Sequence, residues 1–141
     1  MGNMSNHFYI ERNYTNFFNK SEILNSPRSE GIIKRENFLL LMALGYSMGY
    51  KTSFENPKAK GNDTFVMNQL TKEELALVYA IAIADSEDTE IVNDDLKVAD
   101  IAMEYANTGI ITLKELEDTS QKGNRIKKFQ AEIHDFIEEN K

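Results

Sequence analysis

The sequence predicts an all-α protein: a compact bundle of about five to six helices behind an irregular, aromatic N-terminal arm. Three observations carry that prediction. Two segments, Lys34 to Tyr50 and Glu73 to Ala84, are apolar almost all round at helical spacing, as buried helices are. Thr71-Lys72-Glu73-Glu74 reads as a capping box that starts the second of them. A last segment, Arg125 to Glu139, keeps a clean apolar stripe of Ile126, Phe129, Ile133, Phe136 and Ile137.

Taken in order, residues 1–30 form the arm. They are rich in Asn and Ser, with Phe8, Tyr9, Tyr14, Phe17 and Phe18 interleaved, so an irregular or short-helical arm is expected to pack its rings onto the domain. Ser26-Pro27 marks a break or a new helix start, since Pro suits the first helical position. Residues 31–141 are expected to form one helical domain. Within Lys34 to Tyr50, Phe38, Leu41, Met42 and Gly45 share a stripe, and Gly45 and Gly49 lie four apart, which permits another element to approach closely. Lys51 to Asp63 reads as a loop, with a brief extended piece over Thr64 to Met67.

After the helix begun at Thr71, the stretch Asp85 to Asp95 holds six carboxylates in eleven residues: Asp85, Glu87, Asp88, Glu90, Asp94 and Asp95. Asn93 or Asp94 caps the next helix, which carries Leu96, Ala99, Met103 and Ala106 at helical spacing. Asn107-Thr108-Gly109 reads as its stop, Gly being the usual left-handed residue there, and Ile110 to Leu116 as a further short helix or turn. Gly123 separates that from the last amphipathic helix.

Composition narrows the chemistry. The chain has 141 residues, an ordinary size for one domain, and 41% of them are apolar. With no cysteine, a disulfide scaffold, a thiolate metal site and a cysteine nucleophile are excluded. The longest apolar run, Phe38 to Gly45, falls far short of the roughly 20 residues of a membrane span. No basic flank followed by an apolar run marks a secretory signal, so a cytoplasmic protein is expected. The opening Met1-Gly2-Asn3-Met4-Ser5-Asn6 misses a myristoylation signal because the hydroxyl falls one residue early.

The net charge of −7 disfavours phosphate backbones, which proteins hold largely through Lys and Arg. His7 and His134 stand far apart, with no spacing that would hold zinc, and neither a phosphate loop nor a nucleophile turn is present. The acidic stretch lacks the Gly and the alternating ligands of a helical calcium loop. No catalytic residue, metal ligand or cofactor is therefore expected.

Two segments resemble a known family. Lys34-Arg35-Glu36-Asn37-Phe38 leading into Ala43-Leu44-Gly45-Tyr46-Ser47-Met48-Gly49 is one. Ala80-Ile81-Ala82, with Ala99 to Glu104-Tyr105-Ala106-Asn107-Thr108-Gly109-Ile110, is the other. Over about residues 34–116 the chain resembles small accessory proteins encoded beside bacterial Dnd-type DNA phosphorothioation and restriction genes. The family's last motif ends in two glycines, where this chain has Thr108 in place of the first. The resemblance implies a bacterial or phage protein connected with defence against foreign DNA, and it brings no catalytic residues.

The leading expectation is thus a non-enzymatic interaction or inhibitory subunit that contacts a larger protein of a defence or DNA-processing complex, with no direct nucleic acid and no membrane. For such contact, Asp85, Glu87, Asp88 and Glu90 are the candidate steering charges, and Phe8, Tyr9, Phe17 and Phe18 the candidate anchors. The alternatives are a nucleic-acid-binding regulator using Lys34, Arg35, Arg125, Lys127 and Lys128, and a nuclease with a carboxylate-held metal.

Overall fold

Two helices that touch backbone to backbone organise the molecule, seen in a computed structural model that describes residues 7–21, 30–55, 60–119 and 131–138. Helix α2 is the second in chain order, after β1 (His7–Glu11) and α1 (Arg12–Lys20), and spans Glu30–Met48. It is followed by β2 (Lys60–Val66), α3 (Lys72–Ser86) and α4 (Asp95–Asp118), with 3₁₀ turns at Met67–Gln69 and Thr89–Asn93. Residues 131–138 form a last helical segment, α5. The mostly helical class expected from the sequence holds, with one addition, a two-stranded antiparallel ribbon of β1 and β2.

The α2–α4 contact explains the core. A β-carbon on Gly45 would meet the Tyr105 carbonyl oxygen, and one on Gly109 would meet that of Leu41. Positions 41 and 45 of α2 thus face 109 and 105 of α4, so the helices run antiparallel. Around this seam Phe38, Leu41, Met42, Val98, Ala102, Ala106, Ile110 and Leu113 are buried. A core closed this tightly gains dispersion contacts that a looser crossing forfeits.

Two expectations about glycine change here. Asn107-Thr108-Gly109 is not a stop: α4 continues unbroken to Asp118. Gly109 serves close approach, at an intrinsic helix cost of about 1 kcal/mol that the packing offsets. Gly49, by contrast, meets nothing; its φ of +89° makes it the stop of α2, and its N–H donates to the Tyr46 carbonyl.

The ribbon closes one end of the core. Phe8 stacks on Phe65 at 4.7 Å, and both rings stand edge-on to Phe38 at 5.3 and 5.2 Å. Phe8 pairs with Phe65 across the strands, the register shifting on either side of Tyr9, whose N–H donates to Met103 Sδ at 3.2 Å. Residues 7–20 of the arm are therefore a strand and a short helix, the helical form expected for part of it, and not irregular chain. Its rings do pack onto the domain, with Phe8, Ile10 and Phe18 buried in the same cluster as α2 and α4.

The cap readings hold in detail. Thr71 Oγ1 accepts the Glu74 N–H at 3.1 Å while Glu74 Oε1 accepts the Thr71 N–H at 2.9 Å. Asp94 Oδ1 accepts the Lys97 N–H at 3.2 Å and starts α4. Helix α3, however, is one-sided: Val78, Ile81 and Ala82 are buried, but Leu77 is 42% exposed and Ala80 is exposed too. In α5, Ile133 packs against the core and Ile137 is exposed. Ser26-Pro27, Gly123, the opening Met1 to Asn6, and Ile126 and Phe129 of the last stripe lie outside the described residues. Among the described residues, no helix is long and apolar enough to cross a membrane.

Candidate functional site

The acidic stretch resolves into three kinds of carboxylate. Asp94 is a helix cap, as is Asp88, which accepts the Glu90 N–H at 3.0 Å. Glu90 Oε1 accepts from the Asn93 amide at 3.2 Å, and Glu87 takes the left-handed position that ends α3, at φ 56°. Glu87, Asp88 and Glu90 remain exposed. Short-range turn chemistry thus accounts for much of the charge density. Among the described residues, no group of three or more His, Cys, Asp or Glu side chains could hold a metal ion.

Asp85 differs. It sits in the last turn of α3 and takes two bonds from elsewhere in the fold: its Oδ1 accepts the Tyr105 hydroxyl and its Oδ2 the Lys51 ammonium, each at 2.8 Å. Burial alone would push its carboxyl up, but the bonds from Lys51 and Tyr105 outweigh it and hold the group below its ordinary value. Tyr105 is pushed up to about 12 by burial and by the Asp85 carboxylate that its hydroxyl faces.

Beside this pair opens a cleft of about 950 Å³. The end of α2 supplies Tyr46 and Met48, α3 supplies Ala84 and Asp85, α4 supplies Tyr105, and α5 supplies Glu132, Asp135 and Phe136. The Tyr46 ring stands edge-on to Tyr105 at 5.3 Å, yet Tyr46 is 41% exposed and Met48 46%. Tyr50, just past the helix end, is more exposed still. A smaller apolar pocket of about 190 Å³ lies between Leu44, Leu113, Leu116 and Ile133.

Of the expected contact residues, the structure brings only Asp85 to the cleft. Phe8 and Phe18 are core residues, and Tyr9 and Phe17 are half-buried against the same core, so these rings close the fold. Among the described residues, the exposed Tyr and Phe rings are Tyr46 and Tyr50, neither of them an expected contact residue. The available signal was their position: they follow the buried stripe of α2 and flank the glycine that stops it.

A second polar constellation has its side chains buried. Glu11, Asn107 and Thr108 are 3%, 2% and 1% exposed. The Asn107 amide nitrogen donates to Glu11 Oε1 and to the Thr52 carbonyl, each at 3.1 Å, and the Glu55 N–H donates to Glu11 Oε2 at 3.1 Å. Thr108 Oγ1 donates to the Tyr50 carbonyl at 3.0 Å. These bonds tie β1, the chain leaving α2 and the middle of α4 together. Asn107 is thus a latch rather than a helix stop.

Among the basic residues, Arg35 Nε lies 2.8 Å from Glu74 Oε1 in an ion pair that joins α2 to the start of α3. Burial raises the Glu74 carboxyl, but the bonds from Thr71 and Arg35 outweigh that and leave it lowered. Lys34 is exposed, and Arg125, Lys127 and Lys128 lie outside the described residues. Compared with protein-family models, curated proteins and solved structures, the chain matches none of them.

Proposed function

We propose that this chain is a non-enzymatic subunit that binds, or inhibits, a larger protein through the cleft at the ends of α2 and α3. The observation that carries the reading is the exposure of Tyr46, Met48 and Tyr50 in one short span beside that cleft. Aromatic residues and Met are enriched in protein interfaces, and exposed rings grouped at a concavity mark contact surfaces. Rings already seated on a folded element also lose little conformational freedom on binding.

The connection with bacterial or phage defence against foreign DNA, and the cytoplasmic setting, rest on the sequence resemblance over residues 34–116. In that setting the partner is a larger protein of a defence or DNA-processing complex.

The test is recovery of partners from the native host on immobilised protein, in parallel with Tyr46→Asp plus Met48→Asp. Wild type is expected to retain a larger protein that the variant loses while its melting temperature is kept. Retention by both proteins would move the surface elsewhere, and retention by neither would count against the function.

A further inference from the structure

We infer that the cleft takes a basic, amphipathic segment of a partner protein, with Arg or Lys on one side and aliphatic or aromatic residues on the other. The inference rests on the interaction reading above and adds the chemistry of the occupant. The walls are apolar or aromatic, from Leu44, Tyr46, Met48, Tyr105 and Phe136, whereas among the described residues the charged side chains lining the cleft, Asp85, Glu132 and Asp135, are carboxylates. Among the described residues, the neighbouring cation Lys51 is already placed on Asp85 at 2.8 Å and lies 4.0 Å from Glu104.

That combination selects by charge. An acidic segment or a phosphate backbone would meet like charge, in a chain whose net charge is already −7. A purely apolar segment would strip water from carboxylates and return no partner, at a desolvation penalty. A basic segment avoids both costs, because its cations meet Glu132 and Asp135 while its apolar side covers the rings. Guanidinium groups also gain from lying over tyrosine faces. The cleft of about 950 Å³ accommodates a few side chains of such a segment.

The probe is a labelled helical peptide of about a dozen residues with a Leu stripe and an Arg stripe, titrated into the full chain by fluorescence anisotropy at roughly physiological salt. Two companions replace Arg by Glu, or Leu by Ser. The Arg–Leu peptide is expected to bind at least about tenfold more tightly than either companion. Tyr46→Ala combined with Glu132→Gln and Asp135→Asn should weaken it by about tenfold or more. Glu73→Gln with Asp100→Asn removes the same charge at exposed positions outside the cleft and should leave binding unchanged.

Equal loss in the cleft and control variants would reduce the effect to net charge and overturn the inference, as would equal binding of the Glu–Leu peptide or no binding at all. A photoreactive residue in place of Met48, used in the native host, separates this inference from the function beneath it. A captured partner crosslinked through an acidic or uncharged segment overturns the basic occupant and leaves the interaction reading standing. The absence of any captured protein overturns both.

Discussion

The Tyr105 carbonyl occupies the space that a side chain on Gly45 would need: an ideal β-carbon there would lie 1.8 Å from the oxygen. The relation is reciprocated at the other end of the seam, where Gly109 would place its β-carbon 2.0 Å from the Leu41 carbonyl oxygen. In both cases the obstacle is backbone, which no rotamer change can move aside.

Gly45→Ala and Gly109→Ala are therefore each expected to cost more than about 3 kcal/mol, above the usual range for an overpacked core, because two helices must separate. Gly49→Ala has open space and is opposed only by its φ of +89°. A left-handed alanine there should cost about 1–2 kcal/mol. Urea unfolding of the three variants checks the order. A Gly45→Ala loss no larger than that of Gly49→Ala would mean that the helices are not in backbone contact.

Core and surface of the helices should separate equally clearly. Leu41 has no exposure, while Leu77, on the outer side of α3, has 42%. Leu41→Asp buries an unpaired charge at several kcal/mol, comparable to the roughly 5–15 kcal/mol that holds a domain together. It should abolish soluble folding, as should Ile81→Asp, at 5% exposure. Leu77→Asp should melt cooperatively and lose about 1 kcal/mol or less. Soluble expression with far-ultraviolet circular dichroism measures all three.

What was legible in the sequence was what a few neighbouring residues settle among themselves. The Thr71 box and the Asp94 cap are made by bonds spanning three residues, and both stand as read. The meaning of Gly109 depends instead on Leu41, far away in the chain, because the same residue ends a helix or lets two helices touch according to what faces it. The strand at His7–Glu11 likewise exists because β2 pairs with it, and five residues carry little period of their own. The same limit applied to the site. Asp85 was legible as an acid, but its bonds to Lys51 and Tyr105 join three elements. Tyr46 looked like one more residue of an apolar helix, and only the position of α3 and α5 makes it the edge of a cleft.

The internal latch gives a prediction about coupling. Asn107→Ala removes the side chain that donates to the Glu11 carboxylate, a bond to a buried charged group, and should cost about 1.5–3 kcal/mol. Glu11→Ala should cost a similar amount, and the double variant less than the sum by about 1 kcal/mol or more, as residues in one hydrogen-bond network do. Hydrogen exchange at the Glu55 amide, whose bond goes to Glu11 Oε2, should quicken in Glu11→Ala. Strict additivity would show that the two side chains act independently.

Direct binding to duplex DNA should be weak. Arg35 is committed to Glu74, and the net charge of −7 opposes phosphate. A Kd no tighter than roughly 10⁻⁵ M at physiological salt is expected, within the range of non-specific binding. Anisotropy with a labelled duplex at several salt concentrations measures it. Submicromolar affinity with a steep salt slope would favour the nucleic-acid regulator, and Lys127 and Lys128 would be the residues to replace next.

The Tyr105–Asp85 pair makes stability depend on pH in opposite directions at its two members. Tyr105 is held up to about 12, against an ordinary value of 10.0, by burial and by the carboxylate it faces. The protonated form is thus favoured in the folded state, so its contribution is complete below pH 10 and fades as pH rises toward 12. Two units of difference correspond to about 2–3 kcal/mol. Wild-type stability should therefore fall by about that much more than the stability of Tyr105→Phe between those pH values, since phenylalanine keeps the ring and has no proton to lose. Absorbance of the phenolate should agree, with one late-titrating tyrosine missing from the variant. Asp85 acts in the opposite direction: its lowered carboxyl contributes above the ordinary carboxylate range, and the contribution is lost as pH falls through the folded value. Asp85→Asn should flatten the acid limb of the stability curve and bring the Tyr105 titration back toward its ordinary value. A Tyr105 midpoint unmoved by Asp85→Asn would show that burial alone raises it and that the carboxylate contributes nothing.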